Sequence, residues 1–276
     1  MQGRRLAVTA AAVALLSGCG DGTVAVDGQP SHAAVAGSVA HALSLWKDFP
    51  ATSSPRPLVI TGPTVNDPAT GFPSTAAKIA YISGQISEPT TLPGTAAKWQ
   101  GHSLITATQA VADLRGKHSA PSTRARLVIT GVRLGTAPFS TDRGQRRLPA
   151  WLFTFAHVRD PASVLAIAPA NRWPATPPTA DRGMSLMAEI ALDGRTVTIT
   201  FVGAAAGTGP CTAQYRPDTA QSSDAVAVSI REIPASTTSG QACDAVGHQR
   251  SVTVSLTPAL AARVLIDANG APIPAA

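Results

Sequence analysis

Apolar positions change their period along the chain. Val35, Val39, Leu43 and Trp46 recur at i, i+4, i+8 and i+11, which predicts a helix over residues 32–46. Ser31 stands at its N-cap position and Pro50 as its stop. Short apolar runs predict strands at 58–62, 78–86, 126–134, 151–158 and 164–168, with a second helix over 103–114. Residues 136–149 carry Thr141-Asp142-Arg143-Gly144 and Arg146-Arg147, and are expected as a polar loop. The word Leu-Val-Ile-Thr-Gly occurs at 58–62 and again at 127–131. The match hardly extends beyond five residues, so a duplicated unit and a chance recurrence both stay open.

After residue 184 the period is close to two. Val197, Ile199 and Phe201 alternate with Thr196, Thr198 and Thr200, and Val252, Val254 and Leu256 alternate in the same way. That is the pattern of strands with one buried and one wet face. Asp193-Gly194 marks a hairpin between the strands 184–192 and 196–202. Further strands are expected at 212–215, 225–233, 251–256 and 263–266. Residues 169–183 hold four of the 23 prolines and read as a boundary. The expected fold class is therefore mainly β, α+β overall. It has a mixed N-terminal lobe with short helices (32–170), a Pro-rich linker (171–183) and a small C-terminal β-sandwich (184–276).

Composition sharpens the picture of where such a chain works. Only 14% of the 276 residues are charged, against a usual share of about 25%. The formal net charge is +6, of which Arg4 and Arg5 supply two. There is no dense basic stripe with interleaved aromatics, so nucleic acid is not an expected partner. Arg outnumbers Lys, with only Lys47, Lys78, Lys98 and Lys117 present. That usage resembles proteins of high-GC actinobacteria.

The first 19 residues carry a targeting pattern. Arg4 and Arg5 precede an apolar run from Leu6 to Leu16. The run is too short to span a hydrocarbon core and suits a signal h-region. Leu16-Ser17-Gly18-Cys19 closes it and resembles the bacterial lipobox. The resemblance implies cleavage before Cys19, with 1–18 as signal peptide, and lipid attachment on the Cys19 thiol. Two acyl chains anchor a protein stably where one does not. Gly- and Asp-rich residues 19–31 then read as a flexible tether. The expected location is the outer face of the cytoplasmic membrane. Export through the general or the twin-arginine route stays open.

Only Cys211 and Cys243 remain among three cysteines. In an exported chain an even remainder predicts one disulfide. From 184 onward the pattern also resembles the C-terminal part of uncharacterised actinobacterial lipoproteins. It does so through Leu192-Asp193-Gly194-Arg195, the Thr-x-Thr-x-Phe strand, the two cysteines and Ala262-Arg263-Val264-Leu265-Ile266-Asp267. This resemblance implies class and location, and no activity.

Motifs of catalysis are sparse. Gly101-His102-Ser103-Leu104-Ile105 lacks the second Gly of a nucleophile elbow. Ser44-Leu45-Trp46-Lys47 fits Ser-x-x-Lys without its companion motifs. Asp267-Ala268-Asn269-Gly270 opens like a calcium loop and lacks the later ligands. No catalytic, cofactor-binding or metal-ligating residues are assigned. Arg143, Arg146 and Arg147 are weak candidates for holding an anion. Asn171-Arg172-Trp173-Pro174 places a Trp either at an exposed stacking site or in the joint between lobes. The expected function is a membrane-anchored binding or interaction protein of the cell envelope, with a protein or envelope-polymer partner. An envelope hydrolase acting on peptidoglycan or glycan, and a passive structural protein, are the alternatives.

Overall fold

The computed structural model describes residues 39–94, 98–116, 125–173, 185–235, 243 and 246–275. The expected signal 1–18, Cys19 and the expected tether 19–31 lie outside them. Strands account for 44% of the chain and helices for 13%, so the protein is mostly β.

The larger sheet has five strands in the order β2-β6-β5-β4-β3. They are β2 (Val65–Asn66), β3 (Ile86–Ser87), β4 (Leu127–Thr141), β5 (Gly144–Phe155) and β6 (Ala162–Leu165). Its backbone is the long antiparallel hairpin β4–β5, with β3 added in parallel. Two helices, α2 (Thr75–Ile82) and α3 (Ala107–Arg115), cover one face. There Tyr81, Ala110, Val111 and Leu114 bury against Ile129, Trp151, Phe153 and Phe155. On the other face Ala137, Phe139, Leu148, Ala150 and Leu152 pack under Leu58, Ile60, Trp99 and Leu104.

Two expectations fail here, each for its own physical reason. Residues 136–149 are not a loop: β4 runs on to Thr141, turns through Asp142-Arg143 and returns from Gly144. Because both faces are covered, the apolar positions do not follow one parity. A bulge between Ile129 and Gly131 shifts the register. It lets Ile129 and Val132 serve the helix face, while Ala137 and Phe139 serve the opposite one. The expected strand at 78–86 is instead helix α2, capped by Ser74, whose side chain accepts a hydrogen bond from the Ala77 N–H. Only Ile86–Ser87 extends as a strand. Helix α3 keeps its predicted place, with a capping box between Thr106 and Gln109.

The C-terminal region is a pair of three-stranded sheets. One has the order β12-β9-β8 and the other β10-β11-β13. The strands are β8 (Met187–Ile190), β9 (Thr196–Gly203), β10 (Ala213–Gln221), β11 (Ala225–Pro234), β12 (His248–Ser255) and β13 (Val264–Asp267). Val197, Ile199, Phe201, Val252 and Val254 of the first sheet bury against Val226, Val228 and Leu265 of the second. This is the sandwich that the alternation predicts.

The other face of β10-β11-β13 is not free. Helix α1 (39–44) and the segment after it bring Val39, Ala42, Trp46, Phe49 and Val59 onto Ala225, Ala227, Val264 and Ile266. The Trp46 indole donates to the Gly270 carbonyl at 2.9 Å. Of the Pro-rich segment, Arg172 and Trp173 are described. They form β7 (Arg172–Trp173), paired in parallel with β1 (Leu58–Val59). Trp173 packs on Trp46 and Phe49 with ring centres 6.3 and 5.3 Å away. Residues 174–183 lie outside the described residues. The two Leu-Val-Ile-Thr-Gly words occupy unlike places, one in the two-residue β1 and the other opening the 15-residue β4.

Candidate functional site

Two places gather polar chemistry. The first is the tip of the β4–β5 hairpin. Thr141 turns the chain there, its hydroxyl accepting from the Arg143 N–H and donating to the Gly144 carbonyl. The turn carries Asp142, which is 3% exposed. Its carboxylate meets the Arg56 guanidinium at 2.5 Å and Arg143 Nε at 3.6 Å. Arg143 also donates to the carbonyls of Ala261 and Arg263, and Arg56 to that of Ala262. Ala275 N–H donates to the Asp142 carbonyl. Arg263, buried behind them, donates to Gln221 and to the carbonyls of Ser222, Pro258 and Ala259. Burial pushes the Arg143 guanidinium down; Asp142 opposes that shift, and the positive charges of Arg56 and Arg146 add to it. The cluster ties the large sheet to the sandwich.

The three candidate arginines do not meet around a ligand. Arg143 is half-buried and occupied by Asp142 and two carbonyls. Arg146 is exposed opposite Phe139, and Arg147 is exposed opposite Pro138. As neighbours on one strand, Arg146 and Arg147 point to opposite faces. Arg147 covers the strand edge by donating to the carbonyl and hydroxyl of Thr136. Other motif residues take local structural roles. Ser44 donates to the His41 carbonyl on an exposed helix surface. Asp267 accepts from the N–H groups of Asn269 and Ala271, which makes a turn.

The second place is the disulfide end of the sandwich. The end of β9, the start of β10, the end of β11 and the start of β12 converge there, as antiparallel pairing requires. Tyr215 stacks edge-on against Phe201, and its hydroxyl accepts from the Ala204 N–H at 2.7 Å. A Cβ on Gly203 would overlap that hydroxyl, so the close approach needs glycine. Arg250 lies over the Tyr215 ring and donates to the carbonyls of Ala204 and Ala213. On this floor sit two adjoining shallow cavities. One, of about 250 Å³, is lined by Thr212, Glu232, Pro234, His248 and both cysteines. The other, of about 290 Å³, lies beside Gly207, Gln214 and Ile233. Both fall below the usual size of a pocket that encloses a drug-sized ligand.

Cys211 and Cys243 are bonded to each other, with Cα atoms 5.4 Å apart, as their number and setting predict. The sequence did not point to Glu232 and His248 beside them. Glu232 and His248 stand 11 and 5 residues from Cys243 in the chain, a spacing that matches no short motif, and only the fold brings them to the same cavity as Cys211. Among the described residues, no three His, Cys, Asp or Glu side chains group to hold a metal ion. No described helix is long and apolar enough to cross a membrane. Comparison with protein-family models, with curated proteins and with solved structures found no match.

Proposed function

We propose that this chain is an exported, lipid-anchored protein of the bacterial cell envelope whose folded part acts by binding. The observation that carries the proposal is the division of its three cysteines. Two are joined in the sandwich, which suits an oxidising compartment. The third, Cys19, stands in Leu16-Ser17-Gly18-Cys19 behind a charged and apolar leader. Lipid on Cys19 would hold residues 39–275 close to the outer face of the cytoplasmic membrane. The shallow cavities at the sandwich end suit contact with a protein or an envelope polymer better than enclosure of a small substrate.

Two measurements test the two halves of the proposal. Cys19→Ser should move the protein from the membrane fraction to the soluble exported fraction, and should abolish labelling by a radioactive fatty acid. Unchanged fractionation refutes the anchor. Crosslinking in intact cells should yield a discrete adduct that depends on the folded region. A chain that crosslinks to nothing beyond random neighbours refutes the binding role.

A further inference from the structure

We propose that Cys243 is a site of reversible S-thiolation, at which a low-molecular-weight thiol opens the Cys211–Cys243 disulfide and remains bound as a mixed disulfide. The two sulfurs differ in access: Cys243 is exposed and Cys211 is half-buried. Both line the cavity of about 250 Å³, which opens beside them. An open cavity beside an exposed sulfur leaves room for a small thiol to approach it. Exposed disulfides are the ones that exchange readily, because the attacking thiolate needs access to a sulfur.

The backbone adds a second, independent observation. Cys211 has φ +66°, in the left-handed region that a non-glycine residue adopts only when its surroundings impose it. The disulfide holds its side chain, while the Ala205–Thr212 bridge and the hydrogen bonds from Ala235 N–H to the Thr212 carbonyl and from the Thr212 hydroxyl to the Gly209 carbonyl hold the neighbouring backbone. Opening the S–S bond removes the restraint on the Cys211 side chain, so residues 204–212 can relax while the sandwich core stays packed.

The step balances. The incoming thiolate sulfur forms a bond to Cys243 Sγ as the Cys211–Cys243 bond breaks. The bonding pair leaves on Cys211 Sγ, which takes a proton from solvent. One disulfide replaces another and one thiol replaces another, so no outside oxidant or reductant is needed. In the reverse direction the Cys211 thiolate expels the small thiol.

The test treats the folded full chain and its urea-unfolded form with glutathione, followed by acid quench, alkylation and peptide mapping. The expected result is a glutathione adduct on the Cys243 peptide and an alkyl label on the Cys211 peptide. The folded rate should lie within about a hundredfold of the unfolded rate. A disulfide reached only by global unfolding would be protected by a thousandfold or more, roughly the population cost of opening a typical domain. Protection beyond a hundredfold therefore overturns the proposal, as does an adduct on Cys211. Hydrogen exchange on the adduct should rise in residues 204–212 and stay slow in 197–201. Loss of protection in 197–201 would mean that exchange proceeds through an unfolded chain, and would also overturn it.

Discussion

The large sheet and the sheet β12-β9-β8 bury their side chains in different ways. In β5, Leu148 and Ala150 pack to one side while Trp151, Phe153 and Phe155 pack to the other. Six consecutive residues of that strand, 148–153, are buried. In β9 only Val197, Ile199 and Phe201 are buried, and Thr196, Thr198 and Thr200 between them stay partly in water. A sheet covered on both faces gains packing from every position, whereas a sheet with one wet face gains it from every second one. The sheet β10-β11-β13 falls between them. Val226 and Val228 face the sandwich, and small Ala225 and Ala227 let α1 and Trp46 approach the other side.

The comparison makes a direct prediction about neighbouring positions. Phe153→Ala and Leu148→Ala point to opposite faces of β5, yet each should cost roughly 2–5 kcal/mol in urea unfolding. Ile199→Ala in β9 should cost a similar amount, about 2–5 kcal/mol. A cheap Leu148→Ala would show that the second face of the large sheet carries little packing energy.

Next in size is the joint between the regions. Asp142→Asn removes the carboxylate that, among the described residues, pairs with Arg56 and Arg143. Breaking a fully buried pair costs about 3–5 kcal/mol; these arginines keep some solvent contact, so about 2–3 kcal/mol is expected. The variant should also separate the unfolding of the two regions, which circular dichroism and tryptophan fluorescence would register as non-coincident transitions. Coincident curves with unchanged midpoint would show that the apolar contacts of Trp46, Phe49 and Trp173 suffice to couple them.

A smaller effect depends on pH. His102 is buried, stacks on Trp99, and its Nδ1 has no hydrogen-bond partner. Burial pushes its pKa below the usual value. The folded state thus binds this proton less readily than the unfolded state does. The stabilisation is complete above the unfolded pKa of about 6.5, and is lost as pH falls towards the folded value. His102→Phe should remove that part of the acid-side decline in melting temperature. An identical pH profile in the variant would exclude His102 as its source.

The smallest effect belongs to the wet face. Thr200→Ala should change unfolding free energy by about 0.5 kcal/mol or less. A cost comparable to that of Ile199→Ala would mean that the outer face of β9 is covered after all. Asp193, at the hairpin before β9, adds a related check. The N–H groups of Thr196 and Arg195 hold its carboxylate below the usual range. Its contribution is present above the unfolded carboxylate pKa and fades as pH falls through the lowered folded value. Asp193→Ala should remove that small acid-side dependence from the melting curve.

These same differences decide how legible each region was. The sandwich strands were readable because one face meets water, so polarity alternates with the backbone. The disulfide was readable from cysteine count. The β4–β5 hairpin was not, because double burial and the bulge after Ile129 erase a single parity. Pro138, Arg146 and Arg147 there look like loop residues, yet they sit on a long strand pair. Helix α2 is only eight residues long, and its cap outweighed a short run that also suits a strand. Beyond its disulfide, the sandwich-end cavity was not legible, since Glu232, His248 and Cys211 come together only when separate strands and loops meet.

Whatever depends on near neighbours was readable from the sequence alone: the alternation in β9 and β12, the Asp193-Gly194 turn and the pairing of Cys211 with Cys243. Periodicity and turn chemistry act over a few residues, so they can be read without the fold. The tertiary structure decided which sheet is covered on both faces, that α1 and Trp46 belong spatially to the sandwich, and that Arg143 serves Asp142 and backbone carbonyls. Each of those depends on long-range burial, which brings together residues as distant as Trp46 and Gly270. No local pattern records such a pairing, because the free energy that selects it comes from surfaces that meet only after folding.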